Sequence, residues 1–166
     1  YNHDWGDYDK DGDLDLVSGG LSLVDYSTNL KVYKNTNGIL EQDTIQANLI
    51  PLYPCAVLWM NINGDSHLDL ISLGKTNAGG ASHIYINDGT GKLNLTIDQV
   101  FDIPSTLHAI SSADFNNDGY TDIWSNNFKR EDDVYLNPNG ESAWENSYNP
   151  MFLSATQDVV PVELHA

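Results

Sequence analysis

The chain alternates between short runs in which apolar and polar residues follow one another and clusters rich in Asp, Asn and Gly. In the middle of the sequence this alternation predicts four strands, at about 55–60, 68–73, 82–87 and 92–97. An acidic loop at about 61–69 separates the first two of these strands. No segment keeps a helical spacing of apolar residues long enough to compete. The pattern therefore predicts an all-β protein.

The acidic loop recurs three times at a nearly constant spacing. It begins at Asp7, Asn61 and Asp114, which lie 54 and 53 residues apart. Each copy is followed by a Tyr-x-Asn segment and an Asn-Gly or Asp-Gly turn, which supplies the positive φ that a tight hairpin needs. A proline also precedes the start of each following unit by four residues. Three markers in a fixed order indicate an internal repeat.

Units of this length with four short strands match the blades of a β-propeller. The predicted units are residues 1–54, 55–107 and 108–164, and residues 165–166 would begin the next one. Propellers typically close with about 4 to 8 blades, so three are too few to close a ring. We therefore expect a segment of a larger propeller, of about seven blades, or a protomer that completes its ring with another chain.

The acidic loops place side-chain oxygens at alternate positions, and the backbone carbonyl of the seventh residue can complete a ligand shell. Hard oxygen ligands in this number suit Ca²⁺ better than Mg²⁺, which demands stricter octahedral geometry. We expect about three Ca²⁺ ions, one for each repeat. The candidate metal ligands are Asp7, Asp9, Asp11, Asp13 and Asp15 in the first loop, Asn61, Asn63, Asp65, His67 and Asp69 in the second, and Asp114, Asn116, Asp118, Tyr120 and Asp122 in the third.

The three loops differ in charge and in the residue at their bend. The first loop has the most carboxylates and the second has the fewest, so calcium affinity is expected to fall from the first to the third to the second. Ser66 stands where the other loops have Gly12 and Gly119. A non-glycine residue with positive φ is strained by roughly 1 kcal/mol, which would weaken the second loop further.

Two other interpretations of the loops are less satisfactory. An EF-hand requires a glutamate at the twelfth loop position and a helix on each side, whereas this chain has Ser18, Ser72 and Ser125 there, in strand-like surroundings. Aspartate and asparagine also favour ordinary turns. A preference for turns does not explain three loops at one period with an aspartate always at the ninth position.

The run WGDYDKDGDLDL at residues 5–16, its two echoes and the hairpins that follow them resemble the FG-GAP and VCBS repeat family. This family forms the calcium-loop propeller blades of integrin α-subunit heads and of many secreted proteins. The resemblance covers essentially the whole chain in three copies. It implies that the loops hold Ca²⁺ mainly as structural staples, and that the propeller binds proteins or glycans or accompanies an enzyme.

The charge of the chain narrows the range of partners. It contains 24 Asp and Glu residues against 7 Lys and Arg, which gives a formal charge of −17. This balance argues against nucleic acids and anionic lipid surfaces as binding partners. The sequence contains no apolar run long enough to predict membrane insertion. Cys55 is the only cysteine, so neither an internal disulfide nor a zinc site of several cysteines can form.

The predicted function is that of a non-catalytic, calcium-binding propeller segment of an extracellular, secreted or cell-surface protein. It would act in adhesion, in binding a protein or glycan, or in assembly with further blades of the same chain or of another copy. The alternative is an accessory propeller of a secreted polysaccharide-degrading enzyme. Neither the Gly-x-Ser-x-Gly nor the His-Glu-x-x-His motif occurs, so we expect no catalytic residues here.

The aromatic residues and the loops of variable length suggest where contacts form. Trp5 and Trp59 occupy the same position in two repeats, which predicts packing between blades. Trp124 and Trp144 occur once each and are candidates for stacking on a sugar ring. The segments after the second and third metal loops, at 74–81 and 126–133, are the candidate binding loops, because repeat proteins often bind through the face on which loop length varies.

Overall fold

The chain folds into antiparallel sheets. The computed structural model describes residues 2–53, 55–76, 79–99, 107–127, 133–138 and 145–147. These residues form three four-stranded sheets and one short 3-10 turn at Thr44–Gln46, and none of them lies in an α-helix. No helix in this part of the chain could cross a membrane. The predicted all-β class is confirmed.

Each sheet is a simple meander in which consecutive strands pair. Sheet 1 contains β1 (Asn2–Gly6), β2 (Asp15–Leu21), β3 (Thr28–Thr36) and β4 (Ile39–Gln42). Sheet 2 contains β5 (Cys55–Met60), β6 (Asp69–Thr76), β7 (Gly79–Asn87) and β8 (Leu93–Gln99). Sheet 3 contains β9 (Leu107–Ala113), β10 (Asp122–Asn127), β11 (Asp133–Leu136) and β12 (Glu145–Ser147).

The four strands predicted for the middle repeat are present in sheet 2, with small differences at their ends. The first strand, β5, has the predicted bounds. The pairing between β6 and β7 continues to Thr76 and Gly79, beyond the predicted ends at 73 and 82. Backbone hydrogen bonds hold this extension together and do not depend on apolar side chains, so the alternation of residue types does not reveal it.

The sheets pack face to face in series, with sheet 2 in the middle. Successive residues of a strand point to opposite faces, and the neighbouring residues Leu70 and Ile71 of β6 are both fully buried. One core cluster joins sheets 1 and 2 and contains Tyr8, Val17, Leu30, Val32, Val57, Trp59, Leu70, Tyr85 and Leu93. A second joins sheets 2 and 3 and contains Ala56, Met60, Ile62, Ile71, Leu73, Ile84, Ile123 and Tyr135.

Trp59 is central to the packing of sheet 1 on sheet 2. Its ring stacks on that of Tyr8, with centroids 5.2 Å apart and planes only 3° from parallel. Its backbone N–H donates to Asp4 Oδ2 at 2.8 Å. The predicted packing role is therefore confirmed for Trp59. Trp5, at the same repeat position, is 47% exposed, because its side of sheet 1 carries no other sheet among the described residues.

Candidate metal centre

The three acidic loops connect the first and second strands of their sheets. We call them loop 1 (residues 7–15), loop 2 (61–69) and loop 3 (114–122). The ninth residue of each loop is also the first residue of the second strand, and it is a fully buried aspartate: Asp15, Asp69 and Asp122. A buried carboxylate must find hydrogen-bond donors or a cation, so these three residues organise their loops.

Both oxygens of Asp15 accept backbone hydrogen bonds. Tyr8 N donates to Oδ2 at 3.2 Å, and Asn35 N, at the end of β3, donates to Oδ1 at 2.8 Å. The same pair of bonds recurs in the other loops: Ile62 N and Asn87 N donate to Asp69 at 2.9 and 2.8 Å, and Phe115 N and Asn137 N donate to Asp122, both at 2.8 Å. The ninth aspartate thus ties its loop to the third strand of its sheet.

Loop 1 brings three carboxylates together. One oxygen from each of Asp7, Asp9 and Asp15 lies within 4.8 Å of the others. Asp7 Oδ1 is buried and has no hydrogen-bond partner among the described residues. No other group of three His, Cys, Asp or Glu side chains converges in this way within the part of the chain that the structure describes. A divalent cation that prefers oxygen fits this arrangement, because it would give Asp7 Oδ1 a partner and offset the repulsion between carboxylates.

The electrostatics of loop 1 reflect this crowding of negative charge. Burial, together with the neighbouring carboxylates of Asp9 and Asp11, raises the pKa of Asp15 to about 6. The backbone hydrogen bonds to Asp15 oppose the rise but do not cancel it. Burial likewise raises the pKa of Asp69 in loop 2. Both loops therefore hold a carboxylate whose charge is incompletely compensated by the protein alone.

Lys34, which is not among the predicted ligands, also belongs to this site. Its ammonium group contacts Asp9 Oδ2 and lies 3.2 Å from Asp11 Oδ2, and these two partners raise the pKa of Lys34. The corresponding residues of the other repeats, Ile86 and Leu136, carry no charge. The sequence feature that could have indicated this contact is the lysine directly after the repeated tyrosine of β3, where the other repeats have an apolar residue.

Two predicted ligands of loop 1, Asp11 and Asp13, are not members of the three-carboxylate cluster. Asp11 contacts Lys34, and its Oδ1 accepts a bond from Asp13 N at 3.0 Å. Asp13 Oδ2 accepts a bond from Asn37 N at 2.8 Å, in the turn between β3 and β4. The side chain of Asp13 therefore stabilises the hairpin, and only its backbone carbonyl corresponds to the predicted ligand.

Loops 2 and 3 use amides where loop 1 uses carboxylates. The Asn63 amide donates to Asp65 Oδ2 at 3.0 Å, and the Asn116 amide donates to Asp118 Oδ2 at 2.8 Å. The seventh residues hold the same carboxylates through their backbones: His67 N donates to Asp65 at 2.8 Å, and Tyr120 N donates to Asp118 at 2.9 Å. The amides take the neutralising role that Lys34 has in loop 1, without a positive charge.

The first residue of each loop holds the bend. Gly12 N donates to Asp7 Oδ2 at 3.1 Å, Gly64 N donates to Asn61 Oδ1 at 2.8 Å, and Gly119 N donates to Asp114 Oδ2 at 2.9 Å. The other carboxylate oxygen of Asp7 is the buried Oδ1 described above, whereas Asp114 Oδ1 accepts a bond from Asp118 N at 3.1 Å. All three loops are thus folded by the residue types that the repeat preserves.

The bend contains two residues with positive φ in every loop. They are Lys10 (59°) and Gly12 (96°) in loop 1, Gly64 (79°) and Ser66 (70°) in loop 2, and Asn117 (60°) and Gly119 (95°) in loop 3. The predicted positive φ of Ser66 is confirmed. However, each loop has one glycine and one other residue at these positions, so backbone strain does not set loop 2 apart as the sequence argument assumed.

The structure also places one of the candidate sugar-stacking residues. Trp124 lies within β10 and pairs with Val134 and Ser111. It occupies the repeat position of Val17 and Ile71, which are buried between sheets. Trp124 therefore holds a repeat position that packs between sheets in the other two copies. Trp144 and the central parts of the candidate loops at 74–81 and 126–133 lie outside the described residues.

The fold and the loops define a class of protein: an all-β repeat protein in which each four-stranded sheet carries a nine-residue acidic loop. The family model of the FG-GAP-like repeat matches residues 61–125, from the first residue of loop 2 into β10. No curated protein matches the chain. The chain therefore contains an FG-GAP-like repeat, and the predicted resemblance to this family is confirmed.

Proposed function

We propose that this chain is a calcium-stabilised segment of a β-propeller and serves as a non-catalytic binding or assembly module of an extracellular or cell-surface protein. The observation that carries the proposal is loop 1, where three carboxylates converge and one buried oxygen of Asp7 has no partner among the described residues. The same loop recurs in three sheets that pack in series. Calcium would therefore act at each junction between a first and a second strand.

The choice of Ca²⁺ rests on the chemistry of the donors. The candidate donors in the loops are oxygens, from side chains at alternate positions and from the backbone carbonyl of the seventh residue. This mixture of carboxylates, amide oxygens and backbone carbonyls suits the larger and more flexible shell of Ca²⁺. Asp7, Asp9 and Asp15 would hold the ion in loop 1, and the ammonium of Lys34 would leave Asp9. When bound, the ion supplies positive charge that links the two strands.

The exposed side of sheet 1 supports a larger propeller. In sheet 2, Leu70 and Tyr85 face sheet 1 and are 0% and 1% exposed. Their counterparts in sheet 1, Leu16 and Tyr33, are only partly buried. Ser18 and Lys31 lie beside Tyr33 and line a shallow cleft there. We call this side the open face; it repeats the surface by which sheet 2 receives sheet 1, so another blade would fit it.

Thermal unfolding with and without calcium tests the metal proposal. A ligand that binds only the folded state stabilises it by about 2.7 kcal/mol when its free concentration is roughly 100 times its dissociation constant. We expect a higher melting temperature in millimolar Ca²⁺ than in a chelator. Replacing Asp7 and Asp9 with alanine should remove much of this increase, whereas Glu41→Ala, an exposed carboxylate outside the loops, should not. Equal melting temperatures with calcium and with the chelator would refute the structural role.

The binding role requires a separate experiment on the calcium-loaded protein. Glycan arrays and pull-downs from extracellular fractions would identify a carbohydrate or protein ligand. The hairpin between β2 and β3 is a candidate contact, because Leu23, Val24 and Tyr26 are 72%, 93% and 74% exposed. Changing these residues to serine should reduce binding without altering the calcium-dependent melting temperature. Binding confined to the polysaccharide substrate of an adjoining enzyme would favour the accessory-module alternative.

A further inference from the structure

Asn87 connects loops 1 and 2. It is the last residue of β7 and is 1% exposed. Its side-chain amide donates to the carbonyl oxygen of Tyr8, in loop 1, at 2.8 Å, and to that of Leu68, in loop 2, at 3.1 Å. Its backbone N–H donates to Asp69 Oδ1 at 2.8 Å. A single buried residue of sheet 2 is thus hydrogen-bonded to both acidic loops.

Asn137 repeats this arrangement one sheet further on. Its side-chain amide donates to the carbonyl oxygen of Ile62, in loop 2, at 2.9 Å. Its backbone N–H donates to Asp122 Oδ1, in loop 3, at 2.8 Å. Asn137 is fully buried, like Asn87. The two asparagines therefore make the same bridge at both junctions between the sheets.

These bonds form a continuous path through all three loops. In loops 1 and 2 the second residue, Tyr8 or Ile62, donates its N–H to the ninth aspartate of its own loop and accepts the bond from the asparagine of the next sheet through its carbonyl. The first part of the path runs from Asp15 in loop 1 through the Tyr8 backbone to Asn87, and from Asn87 to Asp69 in loop 2. Its second part runs from Asp69 through the Ile62 backbone to Asn137, and from Asn137 to Asp122 in loop 3. The Tyr8 and Ile62 backbones both donate and accept along this path, the two asparagines donate at both ends, and Asp69 accepts one bond at each carboxylate oxygen. Because the bonds share these groups, a shift in one loop changes the geometry presented to the next.

Asn35 shows what this residue does within a single sheet. Its backbone N–H donates to Asp15 at 2.8 Å, and its side-chain amide donates to the Leu14 carbonyl at 3.0 Å, as Asn87 does to Leu68. Among the described residues it reaches no second loop. All three asparagines therefore hold the acidic loop of their own sheet, and Asn87 and Asn137 also donate a bond to the loop of the preceding sheet.

We propose that Asn87 and Asn137 couple cation binding in adjacent loops, so that filling one loop raises the affinity of the next. The proposal rests on the calcium function given above. Tyr8 lies between Asp7 and Asp9, so the orientation of its backbone affects where both carboxylates point. A cation that orders loop 1 fixes the Tyr8 carbonyl against Asn87, which in turn holds Asp69. By linkage, a cation in loop 2 favours binding in loop 1 by the same factor.

Calcium titration of the 166-residue chain, followed by amide resonances at about 0.15 M salt, tests the coupling; at this ionic strength longer-range charge effects are largely screened. Gly12, Gly64 and Gly119 each donate to the first residue of their own loop, so their N–H signals report the three loops separately. Asn87→Ala should raise the calcium midpoint at Gly12 about three- to tenfold, the effect of losing one hydrogen bond.

Asn94→Ala is the matched control for this variant. Asn94 lies in β8 and is exposed, and among the described residues its side-chain amide donates only to Asp88 and to the Lys92 carbonyl, both in the turn before β8. It should leave the Gly12 midpoint unchanged. A Gly12 midpoint within twofold of the unmodified chain in Asn87→Ala would overturn the coupling while leaving calcium binding intact. Absence of any calcium-dependent shift at all three glycines would overturn both proposals.

A second variant keeps Asn87 in place, so the test stands even where Asn87→Ala does not fold. Replacing both Asp7 and Asp9 with alanine disables loop 1, and we expect the Gly64 midpoint to rise about threefold or more in response. The same double replacement in an Asn87→Ala background should leave the Gly64 midpoint where Asn87→Ala alone puts it. An unchanged Gly64 midpoint in the loop 1 variant would overturn the coupling.

Discussion

Gly6→Ala tests how tightly sheet 1 packs on sheet 2. Gly6 is buried at the end of β1, and its φ lies outside the left-handed region, so alanine would fit the backbone. A methyl group there would lie 2.7 Å from Leu68 Cδ1, 3.0 Å from Trp59 Cδ1 and 3.1 Å from Trp59 Cγ. Carbon atoms in contact prefer a separation of about 3.5–4.0 Å. The Leu68 methyl would therefore have to retreat by about 1 Å and the indole by about half as much.

The cost depends on what can move. The Leu68 side chain is only partly buried and can rotate. The Trp59 ring is stacked on Tyr8, and its backbone is held by Asp4. Overpacking of this kind typically costs about 1–3 kcal/mol. We expect the free energy of unfolding to fall by that amount in urea titrations, both with and without calcium, because the defect is steric.

A double-mutant cycle with Leu68→Ala separates this steric effect from a general loss of stability. Leu68→Ala removes the closest methyl group, so Gly6→Ala should cost less in that background, with a coupling energy of at least about 0.5 kcal/mol. Gly38→Ala is the control for backbone strain alone, because Gly38 has a φ of 86° and open space around it. Strict additivity of Gly6→Ala and Leu68→Ala, or a Gly6→Ala chain as stable as the unmodified one, would refute this account of the interface.

Three further predictions concern the loops and the open face. Lys34→Met should increase the calcium affinity of loop 1 severalfold, because the calcium ion no longer competes with an ammonium group. The control Lys92→Met removes an exposed lysine from a hairpin of sheet 2 and should leave this affinity unchanged. Asp69→Asn should lower the free energy of unfolding by about 1–3 kcal/mol, since an amide would set a donor against a buried backbone N–H; Asp65→Asn, at a more exposed site, should cost less. The isolated chain should self-associate through the open face, and Ser18→Lys should shift its sedimentation towards the monomer; a monomeric unmodified chain would contradict this.

The local features of the loops could be predicted from the sequence because they depend on neighbouring residues. Alternating apolar residues indicate strands whatever those strands pack against, and an Asp-rich run with a glycine indicates a tight bend. The positive φ of Ser66 followed in this way from comparing three copies of the loop. The comparison did not reveal the positive φ of Lys10 and Asn117. Each loop has one glycine, at the sixth position in loops 1 and 3 and at the fourth in loop 2, so the sequence does not show that both positions have positive φ in every loop.

Contacts between distant residues required the tertiary structure. Lys34 is 25 residues from Asp9, and Asn87 is 79 residues from Tyr8, so no local pattern reports that either pair meets. The repeat predicts equivalent surroundings for Trp5 and Trp59, yet one is half exposed and the other is buried. The sequence by itself determined the strands, the repeat and the loop chemistry, because these depend on neighbouring residues. Only the tertiary structure decided which ammonium group neutralises loop 1 and how one loop is linked to the next. Lys34 reaches Asp9 because β3 pairs with β2, and Asn87 and Asn137 reach the preceding loops because the sheets pack against one another.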